Sequence, residues 1–80
     1  MDVTSIVRSR YQDDDRMVSA HLVNDTIICI INKNGDKNFY TFVNDELVIY
    51  SKNTSYDKNN KHYSRFKEIF RNIKLEKIDS

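Results

Sequence analysis

The most apolar stretch of the chain spans residues 26–31, where β-branched side chains follow one another without polar alternation. An apolar run of this length with no polar face is typical of a strand that is covered on both sides. The pairs Asn24-Asp25 and Asn34-Gly35 flank it, and these residue types tolerate the positive φ of tight hairpin turns. The pattern therefore predicts a central strand with an antiparallel neighbour on either side.

The neighbouring segments complete a four-stranded antiparallel meander. Apolar and aromatic residues bounded by turn signals predict strands over residues 17–23, 26–32, 38–43 and 46–50. A third two-residue turn, Asn44-Asp45, joins the last two strands. Residues 51–60 are almost entirely polar, which predicts an irregular and flexible loop.

Two segments have the apolar spacing of an amphipathic helix. The first predicts a short helix over residues 2–11, capped at its start by Asp2. Its apolar positions are Val3, Ile6, Val7 and Tyr11. The second predicts a longer helix over residues 61–74, with apolar positions at Tyr63, Phe66, Ile69, Phe70 and Ile73. The expected fold is a single α+β domain of residues 1–80, in which the C-terminal helix packs on one face of the sheet.

The turns determine which side chains share a face of the sheet, because residues directly opposite one another point the same way. With two-residue loops, Ala20 lies opposite Cys29 and Phe39 opposite Ile30. One face is then almost wholly apolar and is expected to lie under the C-terminal helix. Its members are Val18, Ala20, Leu22, Ile27, Cys29, Ile31, Tyr40, Phe42, Leu47 and Ile49.

The second face is half polar, with Ser19, His21 and Thr41, but besides Met17 and Val23 it carries a group of six apolar side chains that are too many to leave bare. These are Ile28, Ile30, Phe39, Val43, Val48 and Tyr50. An apolar patch of that size on a monomer typically marks an interaction site. The six residues are therefore the expected partner-binding site.

Three explanations for this second face remain open from the sequence. The N-terminal helix crosses it, or a second copy or another protein covers it, or the register is wrong by one residue and the two faces are exchanged. The unpaired edges of the first and fourth predicted strands offer another way to bind a partner.

The charge is distributed unevenly, although the net charge is only +1. Residues 1–56 carry six Lys and Arg against eight Asp and Glu, whereas residues 57–80 carry seven against four. Lys67, Arg71 and Lys74 lie along one flank of the predicted C-terminal helix, where a row of cations can follow a phosphate backbone. Nucleic-acid binding through this flank is the alternative hypothesis, which the acidic residues between the cations weaken.

No combination of residues predicts a catalytic, metal or cofactor site. Cys29 is the single cysteine and lies in the apolar run, as expected for a buried, unreactive thiol. Cys29 and His21 are expected on different faces of the sheet, and His62 is expected at the start of a helix. No pair of a nucleophile and a base is therefore expected. Gly35 is the only glycine, which excludes a glycine-rich phosphate loop. The acidic run 13–15 predicts a solvated turn, since consecutive carboxylates rarely converge on one metal.

The N-terminus is polar, and no apolar run approaches the roughly 20 residues of a bilayer-spanning helix. We therefore expect a cytoplasmic protein (in the host cytoplasm if it is viral) with no membrane contact and no small-molecule substrate. The lack of proline and the abundance of Asn, Ile, Lys and Tyr suggest an AT-rich genome, such as that of a phage, a virus or a low-GC bacterium. The expected function is that of a non-enzymatic protein-binding module, a homodimer or a viral or mobile-element protein that modulates a host macromolecule.

Overall fold

A computed structural model describes residues 1–12 and 14–79 as one antiparallel sheet with two helices on the same side of it. Consecutive strands are neighbours throughout, in the order β1-β2-β3-β4-β5. Helix α1 (Thr4–Arg10) precedes the sheet and helix α2 (Lys61–Asp79) follows it. The strands are β1 (Met17–Asn24), β2 (Ile27–Asn32), β3 (Lys37–Val43), β4 (Glu46–Ile49) and β5 (Thr54–Tyr56). The predicted α+β class, the antiparallel meander and both helices are confirmed, but the predicted number of four strands is wrong.

Strand β5 lies inside the segment 51–60, for which the sequence predicts a loop. A 3₁₀ helix, Tyr50–Lys52, ends β4, and Asn53 adopts a left-handed φ of 49° that helps to reverse the chain. The three residues of β5 then pair with β4 in antiparallel register. So short a strand has no apolar alternation that a sequence pattern can reveal. Its pairing satisfies backbone groups that the edge of β4 would otherwise leave open.

The outer edge of β1 is covered by the residues that lead into α1. The Val3 N–H donates to the Ala20 carbonyl at 2.9 Å. The Asp2 carboxylate accepts the Thr4 N–H at 2.8 Å and so satisfies one of the unpaired donors at the start of α1, but the N-cap residue is Val3 and not Asp2 as predicted. Because the N-terminal residues cover β1 and β5 covers β4, the edges of these two strands are not the open binding sites that the sequence suggests.

Both helices pack on the same face of the sheet and form the core with it. Its buried members are Val3 just before α1, Ile6 and Val7 of α1, Ala20, Leu22, Ile28, Ile30 and Leu47 of the sheet, and Tyr63, Phe66, Ile69 and Ile73 of α2. The predicted apolar stripes of both helices are thus confirmed as core. The hypothesis that the N-terminal helix crosses the second face of the sheet is wrong, because α1 packs beside α2 instead.

Strand β2 is displaced by one residue from the position that two-residue turns predict. Ala20 pairs with Ile30 rather than with Cys29, and Phe39 pairs with Cys29 rather than with Ile30. The first hairpin turns one residue later than predicted, with a register shift just before the turn, and the second has a four-residue loop, 33–36. The two shifts are opposite in direction, so they reverse the faces of β2 and leave those of β3 and β4 as predicted. Strand β1 keeps its predicted faces over most of its length, but a further register shift near its start turns Met17 to the core side. Val18, predicted to lie under the C-terminal helix, is therefore 51% exposed.

The turn between β3 and β4 forms as predicted. Asn44 and Asp45 have φ angles of 50° and 64°, the positive values that a two-residue hairpin loop requires. The Asp45 Oδ1 atom also accepts a hydrogen bond from the Tyr63 hydroxyl at 2.6 Å. This contact ties the turn to α2 and helps to fix the helix over the sheet.

Candidate functional site

The face of the sheet that points away from both helices carries apolar side chains that no other element of the described residues covers. We call it the open face. From the register, its central members are Ile27, Cys29 and Ile31 of β2, Lys37, Phe39, Thr41 and Val43 of β3, and Glu46 and Val48 of β4. Ser19 and His21 of β1 adjoin them.

The open face is closely packed although neither α1 nor α2 lies on it. Cys29 is only 7% exposed and Thr41 only 4%, so their neighbours on the sheet shield them. Phe39 is half-buried, whereas Val43 at the end of β3 is 41% exposed. The Thr41 hydroxyl donates to the Thr26 carbonyl at 2.6 Å, which satisfies the one polar group at the centre of the face.

The structure divides the six predicted partner-binding residues between three places. Phe39, Val43 and Val48 lie on the open face. Ile28 and Ile30 lie in the core beneath the helices, because β2 is reversed, and they are 0% and 7% exposed. Tyr50 begins the 3₁₀ helix after β4 and is 54% exposed. In place of Ile28 and Ile30, the open face includes Ile27, Cys29 and Ile31, which alternate with them along the same apolar run.

The prediction that His21 and Cys29 lie on opposite faces is wrong, since the two residues pair directly across β1 and β2. The His21 Nε2 atom lies 3.2 Å from the Ser19 hydroxyl. His21, whose side chain can act as a base, therefore lies beside the hydroxyl of Ser19 and the thiol of Cys29. The thiol is nevertheless buried, as predicted, which leaves it little access to a substrate.

The predicted basic flank of α2 lines one groove. Lys67, Arg71 and Lys74 border it together with Phe42 and Phe70. The Lys67 ammonium lies 4.8 Å from the centroid of the Phe42 ring, a distance at which a cation is attracted to the ring face. The charge of Lys67 is thus partly engaged within the domain, and Arg71 and Lys74 line the same groove.

A cavity of about 200 Å³ lies where α1, α2 and the sheet meet near the start of α2. Aromatic rings form much of its wall, from Tyr11, Tyr40, Tyr56, Phe66 and His62. Asn38, Arg16, Asp14 and Lys52 contribute polar groups to the lining. Sequence patterns miss this cavity because its residues are far apart in the chain and share no spacing.

Within the cavity wall, the Tyr11 hydroxyl and the His62 Nδ1 atom are 3.0 Å apart, and the two rings are stacked. Burial raises the pKa of the Tyr11 phenol, so this hydroxyl stays protonated and shares a hydrogen bond with the imidazole. Burial lowers the pKa of His62, and the nearby charges of Lys61 and Arg65 lower it further.

At the rim of the cavity, Asp14 and Arg16 form a two-pronged ion pair. The guanidinium donates from Nε to Oδ1 at 3.1 Å and from the terminal nitrogen to Oδ2 at 3.0 Å. These hydrogen bonds lower the pKa of the Asp14 carboxyl to about 2. Asp15 lies 3.9 Å from the Lys33 ammonium, whereas Asp13 is outside the described residues. Among the residues that the structure describes, no group of His, Cys, Asp or Glu is arranged to hold a metal ion.

We expect His62 to titrate below its ordinary pKa. In the unfolded chain the same imidazole takes up its proton at a higher pH, so stability is complete above the ordinary histidine range and declines as the pH falls through it. A histidine-detected NMR titration measures this pKa directly. Lys61→Gln should raise it by removing a repulsive charge, whereas Lys58→Gln, in the preceding loop, should not. An unshifted pKa in the native protein would contradict the burial of this ring.

No protein-family model matches the sequence, and comparisons with curated proteins and with solved structures found no match. Within the described part of the chain, no helix combines the length and apolar character needed to cross a bilayer.

Proposed function

We propose that this chain is a non-enzymatic protein-binding module whose contact surface is the open face, and that the face pairs with the same face of a second copy. The observation that carries the proposal is the position of the helices. Both lie on one side of the sheet, so the aromatic and aliphatic side chains of Phe39, Ile27 and Val48 have no cover within the described domain. Two sheets packed face to face would bury them at a spacing of about 10 Å.

The charges at the two ends of the face favour a second copy as the occupant. Lys37 starts β3 and Glu46 starts β4 beside the end of β3, so one cation and one anion lie at opposite ends of the surface. A two-fold axis across the strands reverses their direction and brings Lys37 of one copy towards Glu46 of the other. Such an interface is self-complementary in both shape and charge.

The size of the face predicts a weak dimer. Five strands about 4.8 Å apart and about 20 Å long offer roughly 500 Å² of sheet per copy, below the about 800 Å² per partner of a standard interface. We therefore expect a dissociation constant on the order of 10 μM, as for a reversible contact. Sedimentation equilibrium over about 1–500 μM covers this range.

Phe39→Asp is expected to abolish dimerisation and leave a folded monomer, because it puts a charge at the centre of the apolar contact. Leu75→Asp is the matched control, since Leu75 is an exposed apolar residue on α2, away from the sheet (54% exposed). It should dimerise like the native protein. Circular dichroism checks the fold of both variants. A native protein that stays monomeric at all concentrations, or a Phe39→Asp variant that unfolds, would refute the proposal.

A second candidate, nucleic-acid binding, is favoured by the single groove that Lys67, Arg71 and Lys74 share. Neutralising about three phosphates gives a log–log salt dependence with a slope of about −2 to −3. Fluorescence anisotropy with labelled single-stranded and duplex oligonucleotides at about 50 and 200 mM salt tests this range. Arg71→Glu should then weaken binding to all sequences alike, and Lys58→Glu should not. Flat titrations at both salt concentrations would exclude this candidate.

A further inference from the structure

We propose that the cavity between α1, α2 and the sheet binds a small aromatic carboxylate, with the ring held between the tyrosine side chains and the carboxylate held by Asn38 and Lys52. This site is separate from the open face, because it lies on the side of the sheet that the helices cover. Its volume of about 200 Å³ is below the roughly 300–1,000 Å³ of pockets for drug-sized ligands. It therefore suits a single substituted ring.

The buried amide of Asn38 indicates that the ligand has a polar group. Asn38 is a polar residue only 4% exposed, and burial of an amide is costly unless its groups are hydrogen-bonded. Its Oδ1 atom accepts a hydrogen bond from the Ser51 hydroxyl at 2.7 Å. Its Nδ2 group donates to no other described residue, so two donors on a buried amide are left over.

The unused donors of Asn38 face the cavity. No side-chain nitrogen or oxygen of the described residues is both fully enclosed and without a partner. The Nδ2 group therefore touches accessible space, and the accessible space that Asn38 lines is the cavity. Because these N–H groups can only donate, the ligand group opposite them must be an acceptor.

The net charge of the cavity lining favours an anionic acceptor. Arg16 and Asp14 neutralise each other at the rim, and the lowered pKa of His62 leaves its ring neutral at pH 7. Lys52 then provides the remaining charge of the lining, and it forms no ion pair with any described side chain. It lies in the 3₁₀ helix one residue after Ser51, so the hydrogen bond that orients Asn38 also positions the lysine.

The aromatic walls of the cavity favour a ligand with a flat ring. The Tyr40 ring stacks on Phe66 at 4.5 Å between centroids, and the Tyr56 ring tilts against His62 at 5.3 Å. These contacts hold the rings in place before any ligand binds, which lowers the entropic cost of binding. An aromatic ring between them gains offset or edge contacts of the kind that aromatic pairs prefer.

Titration of the ¹⁵N-labelled full chain with benzoate, followed by NMR, tests the site. We expect saturable shifts at Asn38, Tyr40 and Tyr56, with a dissociation constant on the order of 1 mM or tighter, as for a ligand of nine heavy atoms. Benzamide, a neutral molecule of the same shape, should bind about fivefold more weakly or worse, because it lacks the charge that Lys52 contacts.

Lys52→Gln should weaken benzoate binding about fivefold or more, and Lys58→Gln, which changes an exposed lysine outside the cavity, should leave it unchanged. Both substitutions are at exposed positions, so neither should disturb folding. The proposal is refuted if benzoate gives no saturable shifts, if benzamide or the Lys52→Gln variant binds equally well, or if the shifts lie away from the cavity.

Discussion

Replacing Phe66 with alanine is expected to lower the free energy of unfolding by about 3–5 kcal/mol, the range for removal of a buried phenylalanine ring. Phe66 is 1% exposed and lies where α1, α2 and the sheet meet. Its ring stacks on Tyr40 and makes a tilted contact with Tyr11. A domain of 80 residues has only about 4–12 kcal/mol of stability, so this loss leaves the fold marginal. Urea denaturation followed by circular dichroism measures it.

Phe39→Ala is the matched control, because it removes the same side chain from the opposite face of the sheet. Phe39 is only half-buried, so its loss should cost clearly less than that of Phe66. The measurement should be made at about 1 μM, well below the dissociation constant expected for the dimer. Equal losses for the two variants would mean that the open face is covered within the monomer, which would contradict the arrangement of helices described above.

Local sequence patterns predict correctly the elements that are determined by residues close together in the chain. The stripe on α2 predicts burial of Tyr63, Phe66 and Ile69 because one face of a helix meets one surface, and all three are buried. The Asn44-Asp45 turn is predictable because few residue types tolerate positive φ at two successive positions. In both cases the residues that determine the structure are close together in the sequence.

The elements that depend on distant residues were not predictable in the same way. Strand β5 forms because β4 has an edge to pair with, and no property of the segment 54–56 alone indicates it. The cavity needs Tyr11, Asn38 and His62 to converge from three parts of the chain. No spacing rule connects such residues, so only the folded chain brings the candidate site together.

The reversal of β2 has a different cause. An unbroken apolar run gives no alternation that favours one face over the other, so its register depends on the turns alone. One flanking turn comes a residue later than Asn24-Asp25 suggests, and the other loop has four residues around Asn34-Gly35. A short apolar strand between two such loops is the element that sequence reasoning is least able to orient.

Ile28→Ala is expected to lower the free energy of unfolding by about 2–5 kcal/mol, whereas Ile27→Ala, one residue earlier, is expected to cost clearly less. Ile28 is 0% exposed and packs against the core beneath the helices, because it lies opposite Leu22 and Tyr40. Ile27 is half-buried at the edge of the open face. The substitution is identical in chemistry, so the difference between the two measurements reports the face alone.

Urea midpoints at about 1 μM protein, with the denaturant slope checked for constancy, give this difference. The same pair of variants also separates the core from the proposed contact surface, because Ile27→Ala should weaken the dimer in sedimentation equilibrium at high concentration. If Ile27→Ala costs more stability than Ile28→Ala, β2 has the register of two-residue turns. Ile28 and Ile30 would then lie on the contact surface, and the interface would have to be redrawn around them.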